Sequence, residues 1–195
     1  HVVVYMHRKK PLTTSIYAFS DLIRGGFVYV DKTAQIHALV RARREQFFIS
    51  RPRRFGKSLL VSTLKSIFRG ERELFGGLAI AATDDDWQRY PVIYLDLGSV
   101  QADSAGDLKT KLQRSVGRSA EDNDCVVTAG DAASAFQDLI RTLHKKHGPV
   151  VILVDEYDKP LLGHLGQESV EEIQRVLKGF YSVIKTTEAA SGSRC

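Results

Sequence analysis

Apolar and polar residues alternate along the chain in blocks that predict strands and helices in turn. Apolar runs of strand length lie at 27–30, 46–50, 91–97 and 150–158. Segments with apolar residues at helical spacing lie at 31–45, 58–70, 105–118, 132–147 and 169–185. Because the strands are apolar throughout rather than alternating, we expect them to be buried on both faces of a mostly parallel sheet flanked by helices. The predicted fold class is α/β.

Three of the helices begin or end with recognisable signals. Asp31 or Thr33 precedes the first as an N-cap, and Asp131 precedes the helix that Gly148-Pro149 closes. Before the last helix, Ser169-x-x-Glu172 has the spacing of a capping box. We expect this last helix to end near residue 185 and to be followed by a flexible tail at 186–195.

Composition narrows the class of protein. With 195 residues, 43% apolar and 26% charged, the chain suits one globular domain. Its cysteines, Cys125 and Cys195, have neither disulfide-framework nor zinc spacing. We therefore expect a reduced, intracellular protein of the cytoplasm or nucleus. No apolar run approaches the roughly 18 residues of a membrane span, so we expect no membrane partner. The chain begins at His1, so secretion after removal of a leader stays an alternative.

Positive charge is concentrated in one stretch of the sequence. The net charge is +5, and basic residues crowd the segment between 41 and 58, which contains a single acid, Glu45. Such a field favours phosphate, whether of a nucleotide or of a nucleic acid, although a charge run is also typical of a solvated face. The candidate contacts to nucleic acid are Arg41, Arg43, Arg44, Arg53 and Arg54.

The sequence SRPRRFGKSLL resembles a phosphate-binding loop placed between a strand and a helix. Gly56 leaves room for the backbone to approach phosphate, Lys57 supplies a point charge, and Ser58 offers a hydroxyl to Mg²⁺. Arg51 stands where the usual first glycine would be, and the fixed φ of Pro52 makes the turn instead. The predicted nucleotide-binding residues are Arg53, Arg54, Phe55, Gly56, Lys57, Ser58 and Leu59.

A second element of a nucleotide site follows the apolar run VVILV. Asp155 at its carboxyl end is predicted to hold Mg²⁺ together with Ser58, and Glu156 to activate the attacking water. We therefore predict Glu156 and Lys57 as catalytic residues and ATP and Mg²⁺ as cofactors. Two adjacent acids at a buried strand end repel each other and lose hydration, so a purely structural role is costly.

Other polar residues have a structural alternative. Asp96 ends a neighbouring strand, where it either approaches the metal or caps a turn. Tyr29, Asp31 and Thr33 either border the nucleotide base or have structural roles in the predicted strand and at the N-cap of the helix that follows. Asp158 is a candidate for orienting the acids. We expect Trp87 to pack.

These motifs together resemble the AAA-ATPase-like family of P-loop proteins. The segments FVYVDKT, SRPRRFGKSLLVSTL, ELFGGLAI, YPVIYLDL and VDEYDKP carry the resemblance, which covers 16–185. It implies that Gly56, Lys57 and Ser58 bind phosphate and Mg²⁺, that Asp155 and Glu156 are the metal-holding and catalytic acids, and that R-P-R-R-F-G-K-S is the family's loop. Members often carry a PD-(D/E)xK nuclease-like domain downstream. The opening HVVV also resembles the junction of Crinkler-type effectors.

The sequence predicts Mg-ATP binding and hydrolysis coupled to action on a protein or nucleic-acid partner. The alternative is a nucleotide-binding switch without turnover in a basic interaction module, and a small-molecule kinase is a third possibility. The predicted domains are a leader at 1–15, the ATPase-like domain at 16–185 and the tail at 186–195.

We also expect the chain to be an incomplete catalyst. The resemblance implies a later strand between the phosphate-loop strand and the Asp155 strand, and the residues after Thr187 contain no apolar run that could form it. Either the two strands pair directly, or a gap leaves open edges that favour association into oligomers. We expect the missing strand, an arginine finger and the nuclease-like domain downstream of this chain.

Overall fold

The computed structural model describes residues 10–13, 15–41, 47, 49, 55–84, 86–98, 100, 102–128, 130–162 and 170–191. Several predictions lie outside this part of the chain. They are the HVVV motif, most of the predicted strand at 46–50, the capping residue Ser169, and the arginines Arg43, Arg44, Arg51, Arg53 and Arg54.

The described helices and strands alternate as the apolar pattern predicts. In chain order they are α1 (Phe19–Arg24), α2 (Thr33–Arg41), α3 (Lys57–Phe68), β1 (Val92–Asp96), α4 (Ala105–Glu121), α5 (Ala132–His147), β2 (Val151–Asp155), α6 (Lys159–Leu162) and α7 (Val170–Ser191). Two 3₁₀ helices at Arg72–Phe75 and Ala79–Ala82 follow α3. The chain divides into two compact units, His1–Gln88 and Arg89–Cys195.

An aromatic core holds the first unit together. Phe19 of α1 is fully buried and stacks on Phe75 with ring centroids 4.7 Å apart. Its backbone N–H donates to the Ser62 hydroxyl of α3 at 2.8 Å, so α1 is bonded as well as packed against α3. Trp87 lies against Phe75 at 5.0 Å, which confirms the predicted packing role.

Asp31 and Thr33 bridge two distant parts of the first unit, and we call this pair the clamp. The Asp31 carboxylate accepts hydrogen bonds from the Thr33 N–H at 2.8 Å and from the Ala79 N–H at 2.7 Å. The Thr33 hydroxyl oxygen, in turn, accepts from the Ile80 N–H at 3.0 Å. Because these bonds use the carboxylate and the hydroxyl, the clamp has a structural role that joins the start of α2 to the second 3₁₀ helix.

The predicted strand at 27–30 is wrong. These residues form no β-ladder with the rest of the described chain, and the Val28 N–H donates to the Pro11 carbonyl at 3.0 Å. Val30 is 72% exposed, whereas Tyr29 packs edge-on against Phe19 with ring centroids 5.1 Å apart, so only part of the apolar run contacts the core. Apolar composition alone does not form a strand without a neighbour to complete the hydrogen-bond ladder.

In the second unit, β1 and β2 pair as parallel strands. Val92 lies opposite Val151 at one end of the ladder and Asp96 opposite Asp155 at the other. A parallel pair requires a crossover connection, which α4 and α5 provide here. The residues buried beneath these helices and α7 form one core, which includes Ile93, Leu95, Leu108, Leu112, Val116, Phe136, Leu139, Leu143, Ile173 and Phe180.

Burial corrects one expectation about the sheet. β1 is mostly buried, but the first four residues of β2, Val151 to Val154, are only half-buried. The prediction that both strands are buried on both faces is therefore wrong for β2 within the described residues. The physical reason is that the described sheet has two strands, so β1 covers one edge of β2 and no described strand covers the other.

The helix ends follow their capping residues where these are described. The Asp131 carboxylate accepts from the Ala133 and Ser134 N–H groups, both at 2.9 Å, and α5 has the predicted bounds. The last helix, α7, continues to Ser191, beyond the end predicted near Lys185. No described helix is long and apolar enough to cross a membrane.

Candidate functional site

A glycine in a left-handed conformation begins α3. Gly56 is the N-cap residue with φ 71° and ψ 26°, and its carbonyl accepts the first helical bond from the Leu60 N–H at 2.9 Å. Lys57 and Ser58 are the first two residues of the helix and are half-buried. Backbone N–H groups of a first helical turn have no partner within the helix, and the helix dipole adds partial positive charge there. This end of α3 can therefore receive an anion.

The conformation, rather than lack of space, requires glycine at this position. A Cβ built on Gly56 meets no atom within 4 Å, whereas its φ is one that L side chains rarely adopt. Phe55, which precedes it, is 64% exposed. Of the predicted nucleotide-binding residues, the structure describes Phe55 to Leu59, and these five lie at the beginning of α3.

The two acids lie at the carboxyl end of β2 in the second unit. Asp155 is only 5% exposed, and its Oδ1 accepts from the Glu156 N–H at 2.9 Å. Glu156 adopts a left-handed conformation with φ 53°. For a residue with a Cβ this conformation costs about 1–3 kcal/mol and is found most often at functional sites. The chain turns sharply here, because the Glu156 carbonyl then accepts from the Lys159 N–H at 2.9 Å.

The end of β1 adds a third carboxylate beside these two. Asp96 pairs in register with Asp155, and the Leu97 N–H donates to the Asp155 carbonyl at 3.1 Å. The exposed Asp96 carboxylate accepts from the Gly98 N–H at 2.8 Å, which is the turn-capping role that the sequence offered as an alternative. A Cβ on Gly98 would lie 3.0 Å from Asp96 Oδ1 and 3.4 Å from Glu156 Cγ, so glycine allows the two acidic ends to lie close together.

Negative charge at this end of the sheet affects a nearby tyrosine. Tyr94 lies two residues before Asp96 on β1 and therefore on the same face of the strand. Burial, together with the negative charges of Asp155 and Asp96, raises the pKa of the Tyr94 phenol well above its usual value. The Tyr94 phenol therefore stays protonated at neutral pH.

The donor set at Asp155 fits a hydrated Mg²⁺ rather than a cage of protein ligands. Among the described residues, no group of three or more His, Cys, Asp or Glu side chains is arranged to hold a metal. Asp155 uses Oδ1 in the bond to the Glu156 N–H, and within the described part of the chain Oδ2 has no protein donor. Mg²⁺ keeps several waters and uses one or two carboxylates, so Oδ2 can accept from a metal-bound water.

Lys159 is close enough to influence Glu156. Its Nζ lies 3.8 Å from Glu156 Oε2, and both side chains are about a third to two-fifths exposed. Asp158, predicted to orient the acids, accepts through its backbone carbonyl from the Leu161 N–H at the start of α6. Its carboxylate adds negative charge near Tyr181, whose pKa is raised mainly by burial and then by Tyr157 and Asp158.

Sequence reasoning missed two features of the acidic site. Gly98 was detectable, because an Asp-x-Gly sequence after a strand is typical of a tight turn. The left-handed backbone of Glu156 had no sequence signal, since glutamate has no preference for that conformation. The predicted residues thus form two groups, one at the start of α3 in the first unit and one at the carboxyl ends of β1 and β2 in the second.

The family described as "Predicted AAA-ATPase" has a model that matches residues 13–192. The chain belongs to this AAA-ATPase-like family. Membership confirms the resemblance derived from the sequence motifs, and the mixed architecture of helices with a small parallel sheet agrees with the predicted α/β class.

One curated relative of this AAA-ATPase-like chain comes from Azotobacter chroococcum mcd 1. It is named "Uncharacterized protein in vnfD 5'region" and is 38% identical over 187 residues, which cover 94% of this chain and 36% of the relative. The chain therefore spans about a third of the length of that protein. No solved structure matches.

Proposed function

We propose that this chain is a P-loop NTPase domain that binds Mg-ATP at the start of α3. The observation that carries the proposal is the left-handed Gly56, followed directly by Lys57 and Ser58 in the first helical turn. A backbone donor set, a helix dipole and a lysine are the groups that phosphate-binding loops use. Membership in a family described as predicted AAA-ATPase supports ATP as the nucleotide.

The acids at the end of β2 support hydrolysis as the reaction. Ser58 and Asp155 would hold Mg²⁺, which when bound supplies charge neutralisation for the phosphates. The Glu156 carboxylate accepts a proton from the attacking water. The water oxygen bonds to the γ-phosphorus while the bond between the γ-phosphorus and the β,γ-bridging oxygen breaks. The Lys57 ammonium offsets charge on the phosphate oxygens. ADP and inorganic phosphate are the products.

The lysine beside Glu156 favours a second candidate, a nucleotide-binding switch without turnover. Lys159 Nζ lies 3.8 Å from Glu156 Oε2, so the carboxylate already has an ion-pair partner three residues along the chain. In a switch, Glu156 would stay with Lys159 while nucleotide occupies the loop. In an ATPase, the carboxylate would leave Lys159 for the water.

Two substitutions distinguish the candidates. We expect Lys57→Ala to weaken Mg-ATP binding by at least about tenfold, because it removes a charge-assisted hydrogen bond worth roughly 1.5–3 kcal/mol. Glu156→Gln should keep binding but lose hydrolysis. The matched control is Lys178→Ala, which removes the same charge from an exposed position on α7. Isothermal titration calorimetry measures affinity, and phosphate release measures turnover.

Each outcome has one interpretation. Equal ATP affinity in wild type, Lys57→Ala and Lys178→Ala contradicts the nucleotide site. Binding without turnover in wild type supports the switch. Turnover that Glu156→Gln leaves unchanged would contradict the role of Glu156 while leaving the nucleotide site in place.

We further propose that nucleotide binding is coupled to action on a partner. The basic segment that includes Arg41, Arg43, Arg44, Arg53 and Arg54 supports a nucleic-acid partner by its charge. Arg41 Nη1 lies 3.4 Å from Asp84 Oδ2, so its charge is partly offset. The relative is much longer than this chain, which leaves room in such proteins for an additional domain such as a nuclease-like one.

A further inference from the structure

A basic groove lies along α4 in the second unit. Its volume is about 190 Å³, and it is lined by Asp96, Val100, Lys111, Arg114, Ser115 and Arg118. Lys111, Arg114 and Arg118 follow one another at helical spacing, so they project from the same face of α4. None of these three residues belongs to the nucleotide site proposed above.

The two arginines of the groove form no close ion pair with an acid of the described residues, although the charge of Arg114 also acts on Asp107. Lys111 Nζ pairs with Asp107 Oδ2 at 2.7 Å on α4 itself. Arg114 and Arg118 are exposed, and neither forms an ion pair with a carboxylate in the described part of the chain. Arg114 and Arg118 are four residues apart, a rise of about 6 Å along the helix, and like charges at this spacing repel each other, so an anion bound between them would be stabilising.

The remaining lining residues suit an oxyanion. Ser115 lies one residue after Arg114 and offers a hydroxyl donor beside the guanidinium. Asp96 is the acid in the lining, and its Oδ1 is already bonded to the Gly98 N–H at the end of β1. Cationic side chains therefore outnumber the single carboxylate in the groove, and guanidinium groups bind phosphate oxygens in bidentate geometry.

We propose that the α4 groove is a second phosphate-binding site, in which Arg114 and Arg118 bind two phosphate groups of one ligand and Ser115 donates to one of them. The shared chemistry is a chain of phosphates, which comes either from a free polyphosphate or from the backbone of a single-stranded nucleic acid. The site lies wholly within residues 96–118 and so does not depend on the proposed nucleotide site.

The test uses the full chain carrying Lys57→Ala, so that phosphate binding at the start of α3 does not contribute. The probes are inorganic tripolyphosphate, measured by calorimetry, and a fluorescent oligothymidylate, measured by anisotropy over a range of salt concentrations. The test variant adds Arg114→Gln and Arg118→Gln. The matched control instead adds Lys109→Gln and Lys145→Gln, two exposed residues of α4 and α5 that do not line the groove.

We expect the arginine variant to bind at least one probe about tenfold or more weakly than the control. Where the oligonucleotide is the affected probe, the slope of log K against log salt should become shallower by about 1.4. Each phosphate contact of a single strand contributes about 0.7 to that slope, and the variant loses two such contacts. Weaker binding of tripolyphosphate alone identifies a free polyphosphate as the ligand. Absence of binding by both probes, or equal weakening in the test and control variants, would overturn the proposal. Circular dichroism confirms that both variants fold.

Discussion

The requirement for a left-handed residue at the start of α3 can be tested by adding one methyl group. Gly56→Ala places a Cβ where no atom lies within 4 Å, so the added methyl does not clash. The cost is conformational, because a φ of 71° costs an L residue about 1–2 kcal/mol. Alanine also restricts the unfolded chain, which returns about 0.4–1 kcal/mol. We expect the free energy of unfolding to fall by a net of about 0.5–1 kcal/mol.

Gly76→Ala is the matched control in the same unit. Gly76 has φ −54° and ψ 122°, which any residue adopts, and a Cβ there would lie 4.0 Å from the nearest atom, the Glu73 carbonyl oxygen. This variant should gain about 0.4–1 kcal/mol from the unfolded state alone. Subtracting the two results cancels that contribution and leaves the strain at position 56, about 1–2 kcal/mol.

The assay is urea unfolding followed by fluorescence of Trp87. The chain has a single tryptophan, and it packs on Phe75 in the unit that contains both glycines, so the signal reports that unit. An unchanged m value shows that the midpoint shift measures stability. If both variants have the same midpoint, Gly56 is not held in the left-handed conformation, and the reasoning about the phosphate-binding turn fails.

Two further predictions concern the second unit. Asp131→Ala should lower its stability by about 1 kcal/mol at pH 7, because two N–H groups of α5 lose their acceptor. The hydrogen bond from the Ser134 N–H holds the pKa of Asp131 below its usual value. The stability difference between wild type and Asp131→Ala should therefore persist above about pH 4 and vanish as the pH falls through the lowered pKa. Denaturation of wild type and variant across that pH range measures the difference, and a constant difference would contradict the capping role. Phe136 and Phe180 stack with centroids 4.9 Å apart, and a double-mutant cycle of their leucine variants should give a coupling of about 0.5–1.5 kcal/mol. A coupling near zero would contradict the stacking contribution.

The sequence predicts the elements whose signals are local. The bounds of α5 follow from Asp131 as N-cap and Gly148 as the helix end, which are properties of a few adjacent residues. The position of Asp155 at a strand end follows in the same way from the apolar run before it. Both were available without knowledge of the tertiary structure.

Features that depend on neighbours in space were beyond the reach of the sequence. The apolar run at 27–30 has the composition of a strand but lacks a pairing partner among the described residues, and β2 is half-buried because its second edge is uncovered there. The proximity of Asp96, Gly98 and Glu156 depends on the register of β1 against β2, which no local pattern encodes. The basic residues of α4 resemble an ordinary solvated helix face until the groove beside them is known.

The clamp formed by Asp31 and Thr33 has a consequence for the order of folding. Its bonds to Ala79 and Ile80 join residues 48 and 47 positions apart. Closing a flexible loop of that length costs about 3.4 kcal/mol of chain entropy on the logarithmic scale. Helices α2 and α3, by contrast, form from contacts three and four residues apart. In kinetic terms we therefore expect the clamp to close after the helices it encloses, and to slow unfolding more than it speeds folding.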